Sequence, residues 1–312
     1  MSFILEKITY PSSDGKNTVS GRIYTPKDGK VKGVLQISHG MIDHIGRYEA
    51  IAEYLTAHGY AVAGNDHLGH GETAKEDNDL GFFADEGSVD LILRDLHAMN
   101  RILRNKFQGI MPVLMGHSMG SFLSRLYAVK YPHSISGHII HGTGGPMGAV
   151  LPMGKAIVSV ISLICGKRAR SQFVASLAFS GYNSKFPKSE GKNAWLTRES
   201  SLVADRDTNK FTSYIFTVSA YRDLFSMVGL SNSRTWFASY PKNMRTLIVS
   251  GDMDPVGKYG KGPTYVYKKL LVEGCSDVSL KLYEKARHEL FNETCREEVF
   301  ADILAWLEGV YL

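Results

Sequence analysis

The chain has 312 residues, 44% of them hydrophobic, with 36 basic against 31 acidic side chains and a formal net charge of +5. That is enough apolar material for one catalytic domain with an insertion, and it excludes a disordered or fibrous chain. The charge is too mild and diffuse for nucleic-acid binding, and no apolar run reaches the roughly 18 residues of a spanning helix.

The N-terminal residues lack the basic start and apolar core of a signal peptide. Residues 2–25 alternate around Ser13-Asp14-Gly15-Lys16, a hairpin signal. A strand is predicted over 33–38, followed by His39-Gly40-Met41, and a helix over about 46–58 that His44, Arg47 and Tyr48 introduce. A strand over 60–65 leads into Asp66-His67-Leu68-Gly69-His70-Gly71, and a helix follows over about 88–105. A strand over 110–115, a helix over 118–131 and a strand over 136–141 come next. The alternation resumes with a strand over 245–250, a helix over about 261–273, a strand over 277–283 and a helix over 295–309. This order predicts an α/β fold with a mostly parallel sheet flanked by helices on both faces. Three scattered cysteines, Cys165, Cys275 and Cys295, fit a reducing, cytoplasmic setting without a disulfide framework.

The chemistry concentrates at strand ends. Gly116-His117-Ser118-Met119-Gly120 is a G-x-S-x-G turn between a strand and a helix, which lifts a serine above the sheet edge at the positive end of that helix. Ser118 is therefore the nucleophile candidate. It needs a base, and the base needs a carboxylate to orient it. His288 follows the strand at 277–283 and is the base candidate. Asp254 follows the strand at 245–250 and is the preferred acid, with Asp252 as its competitor, since a turn aspartate nearer the strand often caps backbone N–H groups. The oxyanion needs two backbone donors, expected at Met119 and at Met41. His39 is expected to fix the loop. No His, Asp or Glu pair has metal-ligand spacing, so neither metal nor cofactor is expected.

The segments S-H-G-M-I-D-H-I-G-R-Y at 38–48, D-H-L-G-H-G-E-T at 66–73, G-H-S-M-G at 116–120, S-G-D-M-D-P-V at 250–256 and Y-E-K-A-R-H-E at 283–289 together resemble the monoacylglycerol lipase and lysophospholipase branch of the α/β-hydrolases, also labelled serine aminopeptidase S33-like. The resemblance implies the same roles for Ser118, Asp254, His288, Met41 and Met119. It implies a structural loop around Asp66, His67 and His70. There are departures. Animal monoacylglycerol lipases carry a second His shortly after the catalytic one, where this chain has Glu289-Leu290-Phe291-Asn292. Met41 stands where a small residue is usual, and Asp43 where Glu is usual.

Residues 1–143 and 241–312 are thus expected to form the hydrolase core, and 144–240 a helical cap. Within the cap, 155–164 is strongly apolar, and Phe211, Tyr214, Ile215, Val218, Tyr221, Phe225 and Val228 mark one or two helical faces. Ile157, Val160 and Ile161 are the candidate acyl contacts, with part of 151–165 exposed for transient membrane contact, although these stripes also suit plain cap-to-core packing. Arg47 is placed either to meet a polar or anionic head group or to tie the helix start to the neighbouring loop. The expected function is a serine carboxylester hydrolase acting on monoacylglycerol or lysophospholipid through an acyl-enzyme. The alternatives are a short-chain carboxylesterase, a peptidase, an acyltransferase, and a non-catalytic ligand receptor of hydrolase shape. Oligomeric state is not legible in the sequence.

Overall fold

The early alternation produces a hairpin. β1 (Phe3–Pro11) pairs antiparallel with β2 (Thr18–Pro26). At their turn the Asp14 carboxylate accepts the N–H groups of Lys16 and Asn17, and Gly15 takes the positive φ the reversal needs. The computed structural model describes residues 2–311. β3 (Gly33–Ser38), β4 (Tyr60–Asn65), β5 (Val113–His117), β6 (Gly137–His141), β7 (Thr246–Gly251) and β8 (Val278–Tyr283) complete an eight-stranded sheet in the order β1-β2-β4-β3-β5-β6-β7-β8. From β4 to β8 all pairings are parallel. The residues of β3 to β7 are buried throughout, which explains why they read as apolar runs rather than as alternation.

Helices α1 (Glu49–Ala57), α2 (Ser88–Lys106) and α3 (Met119–Lys130) connect the first parallel strands. Between β6 and β7 lie α4 (Val150–Cys165), α5 (Gln172–Ala178), α6 (Ser200–Thr208), α7 (Val218–Ser231) and α8 (Arg234–Ser239); this segment is called the cap below. α9 (Lys261–Val272) and α10 (Arg296–Tyr311) close the chain. The sheet buries one face under α1 and α10, through Ile51, Leu55, Ile303 and Leu307. The other face packs on α2, α3 and α9, through Ile92, Leu96, Leu123 and Val266. Strand order reverses at β3, whose neighbours β4 and β5 lie on opposite sides, so a crevice opens above the carboxyl ends of β3 and β5.

In the cap one expectation needs correction. Phe211, Tyr214 and Ile215 are not helical; the helical face begins at Val218. Thr217 accepts the N–H of Ala220 and starts α7 there. The residues before it are tied as extended chain: Arg170 donates to the Ile215 carbonyl, and Val218 N–H to the Ala169 carbonyl.

Candidate active site

Ser118 follows β5 at φ +54° and ψ −118°, a conformation that costs a non-glycine residue strain and recurs at functional turns. Two backbone bonds hold it there. Its N–H donates to the His141 carbonyl at 3.0 Å, and its carbonyl accepts the Ser121 N–H at 2.8 Å. The flanking glycines are steric requirements. A Cβ on Gly116 would sit 2.2 Å from the Gly120 carbonyl oxygen, and one on Gly120 would sit 2.0 Å from that of Ser38. The turn is therefore wedged against the end of β3, which brings His39-Gly40-Met41 beside the serine; a Cβ on Gly40 would meet Ser118 Cβ at 3.3 Å.

His39 fixes that loop. Its Nδ1 lies 2.9 Å from the Gly40 carbonyl, and its Nε2 accepts the His67 N–H at 3.0 Å. A carbonyl only accepts, so the ring carries its proton on Nδ1. Burial favours that neutral form and pushes His39 down to about 4.

The loops after β7 and β8 meet because Gly251 has no side chain: a Cβ there would lie 2.0 Å from the Ala286 carbonyl oxygen. His288, 2% exposed, turns its Nδ1 to Asp254 Oδ2 at 2.9 Å. Asp254 is fully buried, and its other oxygen accepts the Val256 N–H at 2.8 Å. Asp252 is half-buried and makes no contact with His288; its N–H donates to the Tyr283 carbonyl. A carboxylate on Nδ1 leaves Nε2 of the neutral imidazole as a proton acceptor.

Ser118, His288, Met41 and Met119 all line one cavity of about 190 Å³. Its walls are mostly apolar and include Phe122 from the core and Phe179, Tyr182, Leu224, Phe225 and Val228 from the cap. One end is polar. There Asp43, Arg206 and Glu289 line the cavity. Glu289 binds Arg47 at 2.7 Å and Arg206 at 3.1 Å, and Arg47 also binds Asp43 at 3.0 Å. Burial alone would raise both carboxyls. The two arginines overcome it for Glu289, holding it at about 2, and Arg47 is the largest of the charges that hold Asp43 well below the usual range. Two guanidinium groups thus face two carboxylates and neutralise one another, while Lys258 lines the same cavity as a further cation.

Two sequence expectations are corrected here. Of the two placements expected for Arg47, the head-group contact is corrected, since it does not line this cavity; its guanidinium is engaged by Asp43 and Glu289 and takes the other role, tying the helix start to the His288 loop. Ile157, Val160 and Ile161 do not line it either, because α7 stands between α4 and the cavity. α4 packs its Gly154 face on α7, where an added Cβ would meet Phe225 at 3.1 Å. Sequence reasoning missed Arg206, Glu289 and Trp195. Adjacency to His288 was the available signal for Glu289; Arg206 and Trp195 reach the site only through the cap's path. Among the described residues no group of three or more His, Cys, Asp or Glu is disposed to hold a metal ion.

The chain is similar to known proteins in sequence and fold. A family model described as serine aminopeptidase, S33, matches residues 29–295. A monoacylglycerol lipase of Mycolicibacterium smegmatis is 25% identical over 291 residues, covering 91% of each chain. A thermostable carboxyl esterase from Bacillus coagulans, solved in complex with glycerol, superposes with a TM-score of 0.91 at 26% identity over 99% of both chains. A soluble variant of the monoglyceride lipase from Saccharomyces cerevisiae shares the fold, with a TM-score of 0.77 at 18% identity over 99% of this chain and 96% of that one.

Proposed function

The chain belongs to the serine aminopeptidase S33 family and is a serine hydrolase of the α/β-hydrolase fold, and from that premise we propose that it hydrolyses single-chain lipid esters, monoacylglycerols foremost, through an acyl-enzyme on Ser118. The observation that carries this reading is the mixed cavity: mostly apolar walls suited to one acyl chain, a polar cluster of Asp43, Arg206 and Glu289 suited to an uncharged polyol, and Ser118 and His288 in the same lining. In this mechanism His288 Nε2 takes the Ser118 proton as the hydroxyl attacks the ester carbonyl, and Asp254 holds the ring and offsets its new charge. The Met41 and Met119 amides receive the oxyanion. His288 then protonates the departing glycerol and activates the water that releases the fatty acid.

The polar end argues among head groups. A lysophospholipid would bring a phosphate to carboxylates and arginines that already neutralise one another. A peptidase would need a carboxylate for the free amine, but Asp43 and Glu289 are both engaged by arginines. A fluorophosphonate probe on Ser118, followed by kcat/KM across monoacyl esters of varied head group and chain length, tests the proposal. Higher kcat/KM for lysophosphatidylcholine than for the matched monoacylglycerol would overturn the head-group assignment.

Chain preference should follow the cavity wall. Each buried methylene is worth about 0.8 kcal/mol, so a chain four methylenes longer gains about 3 kcal/mol, roughly a hundredfold in kcat/KM. Val228→Trp fills the wall and should erase most of that gain while sparing a butyrate ester. Equal loss on both esters would place Val228 off the acyl path.

The cap also exposes an apolar surface. Leu163 is 86% and Ile164 78% exposed on α4, beside Val160, and Phe173 and Leu177 are exposed on α5. Large exposed apolar patches mark docking surfaces, and a lipid surface is where the substrate resides. No helix among the described residues is long and apolar enough to cross a membrane. Leu163→Asp with Ile164→Asp should weaken co-sedimentation with phosphatidylcholine vesicles by at least about tenfold, since full burial of one such side chain is worth about 1.5–3 kcal/mol. Activity on a soluble butyrate ester should stay unchanged. Unaltered sedimentation would remove this surface from the proposal.

A further inference from the structure

We propose that Trp195, a cap residue, is a positioning residue for the catalytic imidazole. This rests on the assignment of Ser118, Asp254 and His288 above. The indole lies against the His288 ring, with centroids 5.1 Å apart and planes inclined by 36°. His288 is thus held at Nδ1 by Asp254 and against a ring face by Trp195, while the His117 ring approaches at 4.8 Å.

Trp195 cannot drift from this position, because its own turn of the cap is sewn to the histidine loop on both sides. Glu289 N–H donates to the Leu196 carbonyl at 2.7 Å, and His288 N–H to that of Trp195 at 3.4 Å. Arg287 reaches the Ala194 carbonyl at 2.6 Å, and the Thr197 hydroxyl donates to the Asn292 carbonyl at 2.6 Å. The indole also belongs to a small apolar cluster that includes Met253 and Val256, the residues on either side of the Asp254-Pro255 step. The cluster that holds the indole therefore joins both catalytic loops.

The chemistry gives this contact a purpose. His288 becomes an imidazolium as Ser118 attacks, and an aromatic face attracts a cation, with Trp the strongest partner. The groups that answer the new charge are Asp254 and the indole. His117 does not oppose it, because burial, with the nearby His288 next, keeps that ring neutral down to about 3. His141, also buried and on the far side of His117, is held neutral in the same way. Beyond Glu289 the Arg47, Arg206, Asp43 and Glu289 charges cancel. Tyr182, which packs on Trp195 at 5.0 Å, stays protonated through burial. The indole further shields the ring from water, so the imidazole stays oriented between turnovers.

The test uses kcat on a soluble acetate ester, whose acyl group is too short to depend on the cavity wall. Trp195→Leu should lower kcat by about tenfold to thirtyfold, the value of a desolvated cation–aromatic contact. Trp195→Phe, which keeps an aromatic face, should recover most of the loss. Retention of kcat within about twofold in Trp195→Leu, or a Trp195→Phe variant no more active than Trp195→Leu, overturns the inference. Failure of a fluorophosphonate to label Ser118 in the wild-type protein would instead overturn the hydrolase assignment on which it rests.

Discussion

Ser118→Ala and His288→Ala should each lower kcat on a monoacyl ester by about a million-fold, the scale of triad knock-outs elsewhere. The reason is geometric. Ser118 is the hydroxyl on the elbow, and His288 is the imidazole that Asp254 orients; burial holds His117 and His141 neutral. Both variants should keep wild-type circular dichroism, since neither removes a backbone bond of the turn. Asp254→Asn should lower kcat by about ten-thousandfold, because an amide can stabilise the wrong imidazole tautomer and cannot offset the imidazolium. Asp252→Asn should have a far smaller effect, because Asp252 does not touch His288. Steady-state kinetics on the four purified variants decide the matter. Greater sensitivity at Asp252 than at Asp254 would overturn the choice of acid.

The core of this molecule was legible because its signals are local. β3 and β4 are short apolar runs closed by loops and match their expected spans at both ends, whereas β5 begins only at Val113. The nucleophile turn announces itself through glycines that sterics demand, and the acid and base follow strands whose order the fold dictates. The cap was less legible. Its helices are set by caps such as Ser171, Thr217 and Ser233, which resemble ordinary loop serines and threonines. The apolar character of α4 suggested a tunnel wall, yet it reflects a helix that packs on α7 with one face and meets solvent with the other. The polar end of the cavity is assembled from residues as far apart as Asp43, Arg206 and Glu289, and only the tertiary structure brings them together.

Stability should fall steeply on acidification, and the buried histidines are the cause. Burial holds His39 neutral down to about 4, and His70, His117 and His138 down to about 3. In the unfolded chain each would titrate near about 6.5. Between those values the unfolded state binds a proton that the folded state refuses, so stability rises with pH and is lost as pH falls below about 6.5. Each ring contributes a slope of up to about 1.4 kcal/mol per pH unit. Asp66 opposes them. Burial pushes it up to about 7, so it favours folding toward lower pH over part of the same range. His67 and His141 are depressed by burial as well, and burial raises Asp95 and Asp223 as it does Asp66, so six histidines against three acids leave a net slope of up to about 4 kcal/mol per unit. A domain's whole reserve is about 5–15 kcal/mol, so acid unfolding should occur within roughly one to four units below pH 6.5. Urea unfolding at half-unit pH steps measures the slope. His138→Gln isolates one contribution. His138 sits between Tyr240 and Ser124 at 2.8 and 2.9 Å, partners an amide can also serve, and glutamine does not titrate. That variant should unfold on a shallower pH dependence than wild type, by up to about 1.4 kcal/mol per unit between about pH 6 and 4. A wild-type stability that is flat from pH 7 to 5 would mean that these rings accept protons in place, with the core rearranging around them.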